Sequence, residues 1–157
     1  MTDYRRKKCE TMVEFRQKTR EKDAFAKLLP PGYEVAYAVF DQLDTEDDNM
    51  TPEDLWRPEI FRTRRAAVRY GVEMDGEPRS RDESMEDFLD MRGYEITKLG
   101  LPTDLKYENG SAKVYMLSDK ETHERLLFKT REEAEKVKRS TDDYKTYDIV
   151  ELTVSKE

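Results

Sequence analysis

The chain has 157 residues, of which 41% are charged and 36% apolar, and its net charge is −7, so it fits one ordinary domain or two very small ones packed together. No window approaches the roughly 20 apolar residues that span a bilayer, and the basic run Arg5–Lys8 precedes no apolar run, so we expect neither a membrane span nor a signal peptide. The single cysteine, Cys9, excludes an internal disulfide framework, and we predict a reducing, cytoplasmic setting.

Residues 1–32 are predicted to form an N-terminal helical segment. Thr2 can cap a helix over 2–29, and Pro30-Pro31-Gly32 ends it, because proline disfavours helix at the preceding residue and has no N–H to donate. The apolar stripe is interrupted by the polar stretch 16–23. One long helix docked at its ends and two shorter helices both fit this pattern.

The rest of the chain contains one pattern twice. Phe61-Arg62-Thr63-Arg64 followed by Ala67 recurs as Phe128-Lys129-Thr130-Arg131 followed by Ala134. An aromatic, strand-like segment precedes each copy, at 36–41 and 114–119, and a second follows it, at 94–99 and 147–152. Three matches in the same order indicate an internal duplication.

The first copy, residues 33–99, is predicted to be an expanded ββαβ unit. Its expected elements are a strand at 33–41, a short helix beginning at Thr51, a strand at 59–62, a helix capped by Thr63, a helix at 83–92 and a strand at 94–99. Thr51 is followed by proline and two acids, which is typical of a helix start. Two insertions lengthen this copy relative to the second, and inserted loops on a rigid scaffold often carry function.

The second copy, residues 100–157, is predicted to be a compact ββαβ unit. Its expected elements are a linker at 100–104, a turn at Asn109-Gly110, strands at 112–117, 125–129 and 146–154, and a helix at 131–139 capped by Thr130. A ββαβ unit cannot close a core alone, so the two units must pack together. We therefore predict an α+β fold in which two tandem repeats form antiparallel sheets covered by helices, with pseudo-twofold symmetry.

Candidate catalytic and metal-binding groups are few. His123 is the only histidine and is predicted to be a solvated turn residue, and Cys9 has no base near it in sequence. The acidic run from Asp44 has oxygen spacing like that of an EF-hand, but Asn49 and Leu55 occupy the positions that need glycine and glutamate. We predict no catalytic residue, no metal and no cofactor, and hence no enzyme; an enzyme that uses carboxylates alone is the alternative.

Differences between the copies point to partner binding. The first helix carries a basic cluster where the second begins with Glu132 and Glu133, and guanidinium forks bind phosphates and carboxylates. Exposed Trp and Arg dominate interface hot spots, and acidic blocks suggest charged partners. The predicted partner-binding residues are Asp44, Glu46, Asp47, Asp48, Trp56, Arg62, Arg64, Arg65 and Arg69. Alternatively, these arginines pair with the protein's own inserted acids, which are Asp47, Asp48 and those at 82–87, and Trp56 anchors the insertion to the core.

The repeated Phe-(Lys/Arg)-Thr-Arg pattern, followed by Tyr, an acid and Ile, resembles a βαβ element of small orphan accessory proteins of bacteriophages and other mobile elements. The resemblance covers 128–152 and, more loosely, 61–99. It implies an accessory protein that acts on a host or competing machine, and no ligand or catalytic residue transfers with it. We expect a non-enzymatic viral protein in the host cytoplasm that docks on, and inhibits or modulates, a host or competitor protein such as a nucleic-acid-processing complex.

Direct nucleic-acid binding is the alternative function. It would use the basic N-terminal segment and the helix that carries Arg62–Arg69, since lysine and arginine supply the phosphate contacts of such interfaces. The overall acidity of the chain and the lack of interleaved basic and aromatic residues count against it.

Overall fold

The computed structural model describes residues 24–42, 47–77 and 83–156. Residues 24–28 are helical, and the rest of the predicted N-terminal helix lies outside the described residues. The further elements in chain order are β1 (Tyr33–Asp41), α1 (Pro52–Leu55), β2 (Glu59–Ile60), α2 (Arg64–Asp75), α3 (Met85–Met91), β3 (Tyr94–Pro102), β4 (Ser111–Ser118), α4 (Arg131–Ser140), a 3-10 helix (Asp142–Tyr144) and β5 (Asp148–Ser155). The α+β class predicted from the sequence is confirmed.

Two predicted elements differ from the structure, and both differences involve Gly100. The predicted linker at 100–104 is wrong in its first part, because β3 continues to Pro102. The predicted strand at 125–129 is reduced to single-residue bridges at Leu126 and Phe128. The two meet: Gly100 donates a backbone hydrogen bond to the Arg125 carbonyl at 2.8 Å and accepts one from Leu127 at 3.0 Å.

The strands form two sheets. In the first, β1 and β3 are antiparallel, with Tyr33 opposite Pro102 and Asp41 opposite Tyr94. In the second, β5 is central, antiparallel to β4 on one side and parallel to β2 on the other. The prediction of purely antiparallel sheets is therefore wrong for the β2–β5 pair. Its strands come from different copies, so no tight hairpin imposes an antiparallel direction on them.

Single-residue bridges join the two sheets into a closed ring. Tyr37 and Phe61 exchange backbone hydrogen bonds of 2.7 and 2.9 Å, and Tyr115 and Phe128 exchange bonds of 2.9 and 2.8 Å. The contacts of Gly100 close the ring between β3 and the segment 125–128. Each described strand thus has a neighbour on both sides, which is how barrels avoid open sheet edges.

The two copies make corresponding backbone contacts. Phe61 and Phe128 each bridge to the strand that begins their own copy. Five residues before them, Trp56 and His123 do the same. Trp56 in the first copy therefore corresponds to His123 in the second. The duplication and the pseudo-twofold packing of the repeats both stay predictions.

The main hydrophobic core fills the ring, and two smaller clusters lie outside it. Side chains alternate along β1, so that Ala36 and Ala38 belong to the inner core while Tyr37 and Val39 face outward. The outward side chains pack against Ala67 of α2. The largest fully buried members of the inner core are Leu99, Leu101, Val114, Met116, Leu127, Val150 and Leu152. The ring is thus a packed scaffold, and its ends carry the accessible loops.

Threonine caps begin both matched helices. The Thr63 hydroxyl accepts a hydrogen bond from the Ala66 N–H at 3.2 Å, and the Thr130 hydroxyl accepts one from the Glu133 N–H at 3.2 Å. Replacing either threonine with alanine leaves a first-turn N–H without its acceptor, so we expect the free energy of unfolding to fall by about 1 kcal/mol. Urea unfolding measures this change. The matched control is serine, which keeps the hydroxyl, and an equal loss in the serine and alanine variants would contradict the capping role.

Candidate functional site

A cleft of about 450 Å³ opens at one end of the strand ring. It lies at the end of the β1–β3 pair where Asp41 faces Tyr94, and the loop after β4 forms its other wall. Both copies contribute to it. The lining residues are Phe40, Gln42, Trp56, Glu95, Thr97 and residues 118–123.

Three rings form the floor of the cleft. The centroid of Trp56, which is 3% exposed, lies 4.6 Å from that of Phe40 and 5.1 Å from that of His123, which meets the indole edge-on. The indole N–H of Trp56 donates to the Ser118 hydroxyl at 3.0 Å, and this hydroxyl donates to the Asp119 carbonyl at 2.7 Å. Trp56 is thereby fixed to the second copy, and the Ser118 hydroxyl is already engaged.

Trp56 is therefore not the exposed partner anchor predicted from the sequence. Buried tryptophan gains from aromatic neighbours and from an acceptor for its indole N–H, and this site supplies both. The alternative interpretation, a tryptophan that anchors the insertion to the core, describes its position.

His123 is half-buried beside Trp56, so the prediction of a solvated turn residue is wrong. Burial is the main influence on its pKa and lowers it; the Glu95 carboxylate acts in the opposite direction, and Arg125 adds to the lowering. The imidazole is therefore neutral near pH 7. Among the described residues, no side chain or backbone group hydrogen-bonds its ring nitrogens, which leaves them available to a molecule in the cleft.

The lowered pKa of His123 makes folding stability depend on pH. Because the unfolded chain binds the proton more readily than the folded one, the free energy of unfolding should fall as pH decreases from about 7 to about 5. The carboxylates of Glu95 and Glu124 raise the pKa of His123 and the Arg125 guanidinium group lowers it, and the net effect of burial and charge is still a lowered pKa. We expect His123→Gln to reduce this pH dependence, measured by urea unfolding at both pH values. An unchanged dependence in the variant would contradict the assignment.

The rim of the cleft is predominantly acidic. Its lining contains three carboxylates, those of Glu95, Asp119 and Glu121, against the one ammonium group of Lys120. Lys120 donates to the Asp47 backbone carbonyl at 2.6 Å, so its ammonium group is directed toward the acidic insertion. We call the cleft, residues 47–48 and the loop 119–123 together the mouth surface.

The Asp119 carboxylate holds the cleft wall in shape. Its Oδ1 accepts backbone hydrogen bonds from Glu121 at 2.8 Å and Thr122 at 2.7 Å, and a further one from the Thr122 hydroxyl at 3.2 Å. Turns of this kind are a usual role for aspartate. Asp119 therefore positions the loop, while Glu95 stands opposite on β3.

The four arginines predicted to bind a partner fall into two groups. Arg62 donates to the Glu34 carboxylate at 3.1 Å, and its guanidinium group also hydrogen-bonds the Ser155 carbonyl and the Tyr107 hydroxyl. Arg64 pairs with Glu86 at 2.7 Å. Arg64 thus pairs with an inserted acid, as the alternative predicted, whereas Arg62 pairs with Glu34 of β1, an acid outside the insertions. Arg65 and Arg69 are exposed on α2, and neither has a polar partner among the described residues.

The acidic residues predicted to bind a partner are only partly described. Asp47 and Asp48 are exposed, and the Asp47 carboxylate accepts the Asn49 N–H at 2.9 Å. Asp44 and Glu46 lie outside the described residues, as does Cys9. The described acids thus border the cleft, although they do not line it.

Sequence reasoning missed the cleft itself, and with it Gln42, Glu95 and His123. One signal was present in the chain. Trp56 and His123 stand at the same distance before the matched phenylalanines of the two copies, which predicts equivalent places in a duplicated fold. The spacing could not predict that the rings of Trp56 and His123 are in contact, because this contact depends on how the copies pack.

Comparisons with known proteins assign no family to this chain: no protein-family model matches it, and no curated protein or solved structure shows significant similarity. In the part of the chain that the structure describes, no helix is long and apolar enough to cross a membrane. The same residues contain no group of three or more metal-ligand side chains. The cytoplasmic location stays a prediction.

Proposed function

We propose that this is a non-enzymatic binding protein that docks on a positively charged segment of another protein through the mouth surface. The observation that carries the proposal is the 2.6 Å hydrogen bond from Lys120 to the Asp47 carbonyl. It joins the acidic insertion of the first copy to the cleft wall of the second, which makes one continuous surface of the two.

The charge and shape of the mouth surface support a basic protein partner. Opposite potentials across an interface steer association and suppress wrong partners, and a concave centre with aromatic walls gives a partner side chain a place to be desolvated. Basic segments of this kind occur where proteins contact nucleic acid. Docking there would block the nucleic-acid site, which is how the proposed inhibition of a nucleic-acid-processing machine would operate.

A second candidate, nucleic-acid binding, is favoured by Arg65 and Arg69. Both guanidinium groups are exposed one helical turn apart on α2, and this spacing places them on the same helix face. Two phosphate contacts would give weak, strongly salt-dependent binding. We rank this candidate second because the pocket beside Arg65 and Arg69 has no aromatic ring in its lining, whereas the cleft of the mouth surface has three.

Fluorescence anisotropy with labelled probes tests the proposal. The probes are an arginine- and lysine-rich peptide, a glutamate-rich peptide of equal length and single-stranded DNA. We expect binding of the basic peptide, weakened about 2- to 10-fold by Asp47→Asn/Asp48→Asn because two charges at the rim are removed. The matched control is Asp142→Asn/Asp143→Asn, which makes the same charge change at an exposed acidic pair on the 3-10 helix.

Two outcomes would count against docking at the mouth surface. Equal losses in the two double variants would mean that the peptide responds only to net charge. Binding of DNA but not of the basic peptide, lost in Arg65→Glu/Arg69→Glu, would instead establish the second candidate.

A further inference from the structure

We infer that the cleft binds the guanidinium group of an arginine side chain, with Glu95 as its counter-ion and the rings of Phe40, Trp56 and His123 as its floor. The inference rests on the proposed function in one respect, namely that the arginine would belong to the docked segment. It names the group recognised and the residues that recognise it.

Glu95 is the lining carboxylate whose charge acts on the pKa of the His123 imidazole, and it therefore lies beside the aromatic floor. Its Oε2 accepts the Gln42 side-chain amide at 2.5 Å, whereas Oε1 has no hydrogen-bond partner among the described residues. Gln42 thus fixes the direction of the carboxylate and leaves one strong acceptor for a donor in the cleft. The Oδ1 of Asp119 is held by its own loop, while its Oδ2 and the carboxylate of Glu121 have no hydrogen-bond partner among the described residues. These two carboxylates add negative charge from the opposite wall.

The aromatic floor favours guanidinium over ammonium. Guanidinium is planar and weakly hydrated, and it stacks on aromatic faces, whereas ammonium is compact and strongly hydrated. The lowered pKa of His123 keeps the imidazole uncharged near pH 7, so it does not repel a cation. Its ring nitrogens are accessible, and a neutral imidazole has one nitrogen that accepts an N–H.

The size of the cleft fits one side chain. Its volume of about 450 Å³ lies in the lower part of the range for small-ligand pockets. It is too small for a folded element but large enough for a guanidinium group and part of its aliphatic stem. A partner would thus insert one arginine here while its other basic residues meet the rim.

The two reporters that the experiment needs are already in place, because the chain has one tryptophan and one histidine and both lie in the cleft. We would titrate the protein with N-acetyl-arginine methylamide and follow Trp56 fluorescence and the His123 ring proton resonances. The lysine counterpart and tetramethylammonium, which has no N–H, serve as comparison cations. We expect a dissociation constant of roughly 1 mM for the arginine compound, in line with the affinity of very small ligands, and weaker binding of the other two.

Substitution of Glu95 tests whether its carboxylate is the counter-ion of the bound guanidinium group. Glu95→Gln removes the charge but keeps an acceptor for the Gln42 amide, and we expect binding to weaken about 10-fold or more, as for loss of a charge-assisted hydrogen bond. Glu73→Gln is the matched control, since Glu73 is an exposed acid on α2. It should leave the titration unchanged.

The failures of this inference and of the proposed function are distinguishable. Three results would each overturn the arginine site. The first is no change in Trp56 fluorescence or in the His123 resonances at about 50 mM of the arginine compound. The others are equal effects of the two glutamine variants and tighter binding of the lysine compound. If the basic peptide still bound in a manner sensitive to Asp47 and Asp48, docking would stand without it. If the arginine compound bound and the peptide did not, the inference would stand and docking would fail.

Discussion

Replacing Trp56 with alanine should lower the free energy of unfolding by about 3–5 kcal/mol. The indole is 3% exposed, packs against Phe40 and His123, and donates to the Ser118 hydroxyl. Its removal leaves a cavity between the two copies and deprives a buried hydroxyl of its donor. Urea unfolding followed by far-ultraviolet circular dichroism measures the loss, since the variant has no tryptophan fluorescence.

Trp56→Phe separates packing from hydrogen bonding at this site. Phenylalanine keeps an aromatic ring but has no N–H for Ser118, so we expect a loss smaller than that of alanine. A Trp56→Ala protein as stable as the wild type would contradict the buried position. That result would support the exposed, partner-binding tryptophan that the sequence predicted.

Replacing Arg62 with methionine should lower the free energy of unfolding by about 1.5–3 kcal/mol, as expected for hydrogen bonds made by a charged group. The guanidinium group connects Glu34 of β1 to the Ser155 carbonyl of β5 and to the Tyr107 hydroxyl. It therefore links the two sheets near their ends. Methionine keeps much of the aliphatic stem, so the loss reports mainly on the polar contacts.

Arg65→Met is the matched control for Arg62→Met. Arg65 stands three positions further on, is exposed, and has no polar partner among the described residues. We expect its effect on the free energy of unfolding to stay within about 0.5 kcal/mol, measured by urea unfolding. Equal losses in both variants would contradict the division of the arginines into structural and free ones.

Local sequence signals predicted most of the individual elements. The strand at 33–41 has its predicted bounds, because aromatic and β-branched residues run from Tyr33 to a turn. The threonines before α2 and α4 cap both helices, as the repeated pattern indicated. Such signals act over a few residues, and the sequence displays them directly.

Features that depend on long-range contacts could not be predicted. The extension of β3 through Gly100 is held by Arg125 and Leu127, which lie on a later segment of the chain, and the parallel direction of β2 along β5 has no local signature. The burial of Trp56 follows from a serine and a histidine more than sixty positions away. The cleft exists only where these long-range contacts meet, which explains why composition and spacing did not predict it.

The central claim, that the mouth surface takes a basic segment, is tested most directly by nuclear magnetic resonance. Backbone amide shifts of the labelled protein would be followed while an arginine-rich peptide is added at low salt. We expect the largest shifts in residues 40–42, 95–97 and 118–123, with the His123 ring resonances moving at the same peptide concentrations. Shifts centred on Arg65 and Arg69 of α2, or spread evenly over the surface, would contradict it.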